Sequence, residues 1–228
     1  MYKFCPHCGK QFLEPDEPRT IGVVTQNKGF LSWTQIKEWS DNNEAAQHFE
    51  IGDELHDTLL TGEPVTLVVV EKDWPHEGAV VLQFKDCLAD TYFMNAEATN
   101  EGGWEKTTLR DLLHKSIWRI LPQDIRDCVK PIIRDGVKDW LWLPTEVQVF
   151  GEVCWGDEKD KTDRRQFTYY RRPGNRVKTL GEDGGRAAWW LASPSATNAT
   201  SFCSVNGGGD SYYYYASNSH GVAPGFCI

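Results

Sequence analysis

The apolar residues of this chain fall into short runs broken by polar turns, and each run suggests an element. The clearest is Glu63–Glu71 (EPVTLVVVE), rich in β-branched residues and read as a strand. Ala79–Lys85 (AVVLQFK) is its expected hairpin partner, because the intervening KDWPHEG supplies Pro and Gly turn chemistry. Ahead of them, Ile21–Thr25 reads as a short strand. Ser32-Trp33-Thr34-Gln35 reads as a capping-box start for a helix that ends near Phe49, with Ile36, Trp39 and Phe49 toward a core. Around Thr107–Leu113 the period turns helical, with a Thr cap, and a second short helix runs from Pro122 to about Cys128. Lys130–Arg134 and Asp139–Pro144 read as strands, and Pro144-Thr145-Glu146-Val147 as the start of a short helix. The charge-dense stretch across 155–185 is expected to be a long solvated loop region. No internal repeat is visible.

From Arg186 onward the pattern changes. The segment RAAWWLASPSATNATSFCSVNGGGDSYYYYASNSHGVAPGFCI carries no Lys, Glu or Gln, no Arg after Arg186, and Asp210 is its only acidic residue. Large apolar residues (Trp189, Trp190, Leu191, Val205, Val222, Phe226, Ile228) bracket a polar set. That set has the composition of a paratope: Tyr gives a stiff, amphipathic contact at low entropy cost, and Ser, Asn and Gly give short, adaptable hydrogen bonding. Disorder and plain loop are the competing readings of such a tract. The apolar anchors on both sides argue against disorder.

Composition narrows the function classes. At 228 residues the chain can bury one sizeable core, and ten Trp favour an irregular, aromatic-rich one. A net charge of −9 argues against nonspecific nucleic-acid binding. No apolar run has the length of a membrane span, and MYKFCPHCGK has no signal-peptide apolar region. Seven Cys without a secretory signal fit a reducing compartment. Cys5 and Cys8, in Cys5-Pro6-His7-Cys8-Gly9, form half of a zinc knuckle, so zinc is the one candidate cofactor. No second CxxC follows. The remaining ligands would come from His7, His48, His56, Cys87, Cys128 or a second copy of the chain, and a metal-free turn is the alternative.

The order Gly103-Trp104, Leu141-Trp142-Leu143-Pro144-Thr145-Glu146-Val147, Trp189-Trp190-Leu191-x-Ser193-Pro194, Phe202-Cys203-x-Val205-Asn206 and Gly221-Val222-x-Pro224-x-Phe226 resembles a bacterial and phage family. Its members carry a C-type-lectin-like domain, of the formylglycine-generating-enzyme-like fold, that ends in WWLRSP…GVxPxF. Here Ala192 stands where Arg is usual. Some relatives are variable proteins of diversity-generating retroelements, in which adenine-directed copying scatters Asn codons but cannot produce Lys, Glu, Gln, Trp or Met. Residues 192–220 contain none of those five. The resemblance implies an α+β, C-type-lectin-like fold with short antiparallel strands, few helices and long irregular loops. It divides the chain into a half zinc-ribbon-like segment at 1–20 and a C-type-lectin-like domain at 21–228, with 186–228 as the candidate variable region. The implied role is binding a protein or glycan ligand or receptor, on a phage tail or a cell surface, with a homo-oligomer as a candidate state.

The expected contact residues are Ala192, Ser195, Thr197, Asn198, Ser201, Ser204, Asp210, Tyr212, Tyr213, Tyr214, Tyr215, Asn218 and His220. At least one of the four tyrosines is expected to turn inward, as strand alternation requires. No catalytic residues are expected. GxSxG, HExxH and a phosphate-cradling Gly loop followed by Lys are all missing, and no Lys or Arg lies near Cys203 or Cys227 in sequence. Calcium is not expected, since the C-terminal region offers one carboxylate side chain. A protein with a fixed partner, or a cysteine-dependent oxidase of the same fold, are the alternative readings.

Overall fold

The Glu63–Glu71 and Ala79–Lys85 runs do pair. In a computed structural model that describes residues 20–24, 31–134, 136–156 and 165–228, they form the centre of a six-stranded antiparallel sheet. In chain order, the first strands are β1 (Thr20–Val24), β2 (Leu31–Ser32), β3 (Glu54–Thr58), β4 (Pro64–Lys72), β5 (Val80–Phe84) and β6 (Tyr92–Phe93). Then come β7 (Ile132–Arg134), β8 (Val137–Asp139), β9 (Lys178–Thr179) and β10 (Arg186–Ala187). The last are β11 (Trp189–Pro194), β12 (Ser201–Val205), β13 (Ser211–Tyr215), β14 (Ser219–His220) and β15 (Gly225–Cys227). The large sheet has the order β15-β5-β4-β3-β1-β2, and a second sheet has the order β11-β12-β13. The helices are short: α1 (Trp33–Asp41), α2 (Ala45–His48), α3 (Thr108–Leu112), α4 (Trp118–Ile120), α5 (Gln123–Cys128) and α6 (Glu146–Phe150). A π-helical turn, Leu113–Ile117, joins α3 to α4. The architecture is mixed α+β with mostly short antiparallel strands.

β4 is buried from Val65 to Glu71, because helices and loops cover one face and the core the other. The core is aromatic-rich: Trp33, Trp142, Trp189, Trp190, Tyr170, Phe49, Phe167 and Phe226 are all essentially inaccessible. β15 pairs with β5, which ties the last residues into the large sheet.

Three expectations are corrected. The helix expected over 33–49 is two helices, because Asn43 takes a left-handed φ of 56° and turns the chain between them. Ser32 caps α1 by accepting from Gln35 N, but the Gln35 side chain donates to Glu38 and does not complete a capping box. The full box is at α6, where Thr145 and Gln148 bond reciprocally. The 155–185 stretch is not all solvated loop: Phe167, Tyr170 and Lys178 are fully buried. Lys178 Nζ donates to the carbonyls of Phe84 and Lys85 at 2.9 and 2.6 Å and lies 5.1 Å from the Trp189 ring. Burial lowers its pKa to about 8.

Candidate binding face

The second sheet carries the tyrosine run. Its hairpin turns at Asn206–Asp210, where Asn206 N donates to Asp210 O at 2.9 Å and Gly209 N to Asn206 O at 3.0 Å. The Asn206 side chain accepts from Gly208 N and Asp210 N. Gly209 holds a φ of +93°, and a Cβ there would press on Val177 at 3.1 Å, so the turn needs glycine. This turn sets the register: Val205 faces Ser211, Cys203 faces Tyr213, and Ser201 faces Tyr215. β13 is the outermost strand of the sheet, which is why four consecutive tyrosines can stay accessible on both of its sides.

Alternation splits them, although the neighbouring Tyr212 and Tyr213 rings still stack at 5.5 Å. Tyr212 and Tyr214 lie together, with rings 4.9 Å apart, and Tyr214 packs on His220 at 4.2 Å. His220 in turn packs against Trp190 at 4.7 Å. On the other side Tyr213 packs on Trp155 at 5.0 Å. Tyr212 and Tyr215 are the exposed pair, at 45% and 54%, while Tyr213 and Tyr214 are half-buried. β14 pairs with β6, so Phe93 sits opposite Ser219 and Tyr92 opposite His220. Phe93 is exposed and extends the aromatic surface onto a segment far upstream. Sequence reasoning missed Tyr92, Phe93 and Trp155, since a two-residue strand and an isolated Trp leave no periodic signal.

Of the expected contact residues, Thr197, Asp210, Tyr212, Tyr215 and Asn218 are exposed, and Asn198, Tyr213, Tyr214 and His220 are half-buried. Asp210 stands at the turn end of the hairpin; Thr197, Asn198 and Asn218 stand at the other, roughly 14 Å away along a five-residue strand. Ala192, Ser195, Ser201 and Ser204 are corrected. They are buried, with exposures of 3%, 5%, 1% and 0%, so their side chains do not form part of the exposed face. Ser201 and Ser204 lie on the middle strand of the sheet, Ala192 lies within β11 with its amide bonded to Pro144 O, and Ser195 lies where β11 meets the loop at Trp155 and Gly156.

The segment is held from outside through its main chain. Asn100 Nδ2 donates to the carbonyls of Ser195, Asn198 and Ser201 at 2.9, 3.2 and 3.0 Å, and Asn100 N donates to Ala199 O. Met94 N and Asn95 N both donate to Ala216 O, and Ala196 N donates to Trp155 O. The buried Glu146 carboxylate accepts from the amides of Cys154, Trp155 and Gly156, which pins the neighbouring loop. Two side chains within the segment join that network: Ser211 Oγ donates to Glu146 Oε1 at 2.6 Å, and Ser193 Oγ accepts from Glu146 N at 2.9 Å. In sequence Glu146 read only as part of a helix start, and nothing singled out Asn100, because its side-chain partners lie about a hundred residues away.

His220 is the face's pH-sensitive point. Burial alone pulls its pKa down to about 4, and its Nε2 is enclosed without a hydrogen-bond partner among the described residues. Between about pH 6.5 and 4 the unfolded chain binds a proton that the folded chain does not, so stability falls as pH drops through that window. Urea midpoints measured across it are expected to fall less steeply in His220→Phe than in the parent. Equal slopes would place the loss elsewhere.

Cys5 and Cys8 lie outside the described residues. Among the described residues no group of three or more His, Cys, Asp and Glu could hold a metal. Of the proposed completing ligands, Cys87 and Cys128 are buried, with thiols pushed up to about 12, and His48 stacks on Trp39 at 4.0 Å. Cys203 lies on β12 of the second sheet and Cys227 on β15 of the large sheet, both as buried thiols. Among the described residues no helix is long and apolar enough to cross a membrane. Residues 77–228, two thirds of the chain, match the family described as Domain of unknown function (DUF6273). No curated protein and no solved structure matches the chain.

Proposed function

We propose that this chain, which belongs to the DUF6273 family, is a binding protein of C-type-lectin-like fold whose segment between Ala192 and His220 is a diversified ligand- or receptor-binding face. One observation carries the reading: the segment is anchored almost wholly through backbone atoms. Asn100 holds three carbonyls, Met94 and Asn95 hold the Ala216 carbonyl, and the Trp155 carbonyl takes the Ala196 amide, so side chains at exposed positions of the segment can change without removing these anchors. Substitutions at exposed positions shift stability by no more than about 0.5 kcal/mol, which such a face requires. The surface it offers is aromatic and amide-rich with one carboxylate, Asp210, so it suits a protein or glycan ligand bound without calcium. Display on a phage particle or a cell surface, and zinc at Cys5 and Cys8, belong to the same proposal.

The test is to sequence this gene from many cells or particles of one population. Substitutions are expected to concentrate at Thr197, Asp210, Tyr212, Tyr215 and Asn218. Phe202, Val205 and Ala216, which are fully buried, should stay fixed, as should Ser211, whose hydroxyl is bonded to Glu146. An invariant segment would remove diversification and leave a fixed-partner protein.

A further inference from the structure

A second exposed surface lies outside the tyrosine face, on the β7–β8 hairpin. In this two-stranded sheet Ile132 pairs with Asp139 and Ile133 with Lys138. Alternation buries Ile132 and Asp139, so Ile133, Lys138 and Trp140 share the outward side. An outward strand position is normally polar. Here it is an isoleucine exposed at 75%, next to a tryptophan exposed at 38%. The surface continues onto the helical segment: Trp118 lies 6.4 Å from Trp140, and His114 6.1 Å from it. His114 sits on the π-helical turn Leu113–Ile117, Trp118 directly follows it, and His114 Nε2 bonds to Leu141 O at 3.0 Å. Such insertions are frequent at functional sites.

The arrangement is rigid beneath. Asp139, fully buried, accepts from Trp104 Nε1 at 2.8 Å and Arg110 Nε at 2.6 Å. Arg110 also donates to Lys138 O, which fixes the strand on which the surface is built.

Charge selects the occupant. The chain as a whole carries −9, yet residues 106–140 hold eight Lys and Arg against five Asp. Lys138 has no carboxylate partner among the described residues; its Nζ lies 4.9 Å over the Trp140 ring. That ammonium covers one ring face, which disfavours base stacking and leaves a cation beside apolar surface. Ile133 asks for an apolar partner atom, and Lys138 for an anionic one.

We infer that the outer side of the β7–β8 hairpin, with Trp118, is a docking surface for an acidic protein segment that carries apolar side chains beside its carboxylates. The experiment is selection of a displayed random-peptide library on the immobilised full chain, followed by affinity measurement of synthetic copies of the enriched peptides. Enrichment of Asp or Glu flanking Leu, Phe or Trp is expected. Affinity should drop about tenfold with Lys138→Glu and with Trp140→Ser, and fall with added salt. Lys138 is exposed, so Lys138→Glu should keep the parent melting temperature and tests the charge alone. The inference is overturned if enriched peptides lack acidic residues, if Lys138→Glu leaves their affinity unchanged, or if the parent chain, and not Trp140→Ser, cosediments with phosphatidylglycerol vesicles.

Discussion

A fragment spanning only residues 77–228, the family-matched part, is expected not to fold. The match begins between β4 and β5, in the middle of the six-stranded sheet. Removing what precedes it takes away β1 to β4 together with α1 and α2. β5 would lose the partner along which it pairs from Val80 to Phe84, and Leu67, Val68, Val69, Val70, Leu55 and Phe49 would leave the core. Each such side chain contributes about 1.5–3 kcal/mol by its burial. Four of them already match the total stability of about 5–15 kcal/mol expected of a domain. Circular dichroism and amide NMR dispersion of the fragment, set beside a chain beginning at Thr20, would decide it. A well-dispersed spectrum from 77–228 would show that the smaller unit is autonomous.

Truncating either Trp189 or Trp190 to alanine should cost about 3–5 kcal/mol. Both are fully buried, and each indole also satisfies a carbonyl: Trp189 Nε1 donates to Arg176 O at 2.9 Å, and Trp190 Nε1 to Tyr92 O at 2.8 Å. Alanine would therefore open a cavity and orphan an acceptor at once. The contrast lies a few residues away. Tyr212→Ser and Tyr215→Ser, at exposed positions of the outer strand, should move stability by about 0.5 kcal/mol or less. Denaturant unfolding of the four single variants gives the comparison. A tyrosine as costly as a tryptophan would make the run part of the core and end the view of it as a replaceable surface.

What the sequence made legible follows local physics. Runs of β-branched residues around a Pro-Gly turn gave β4 and β5, and the Ser32 and Thr107 caps gave two helix starts. The tyrosine run stood out by its extreme composition, and Tyr212 and Tyr215 are exposed. The errors share a cause. Ser201 and Ser204 were grouped with the tyrosines by composition, yet they sit on the middle strand, and only strand order says which polar residues are covered. Phe167, Tyr170 and Lys178 were hidden by the charges around them in sequence. Asn100 and Glu146 look like ordinary loop and helix residues until distant segments close around them.

The three carbonyls gathered on Asn100 also limit how this face can change. They converge because the chain between Ser195 and Ser201 has one length and one path. Adding or removing a residue there would carry at least one carbonyl out of reach. A single insertion in β13 would exchange its two sides and send Tyr212 and Tyr214 to where Tyr213 and Tyr215 now stand. Antibody loops draw repertoire from length as well as from sequence. If the face is diversified as proposed, it is confined to a fixed-length alphabet, with variety coming letter by letter on one backbone contour.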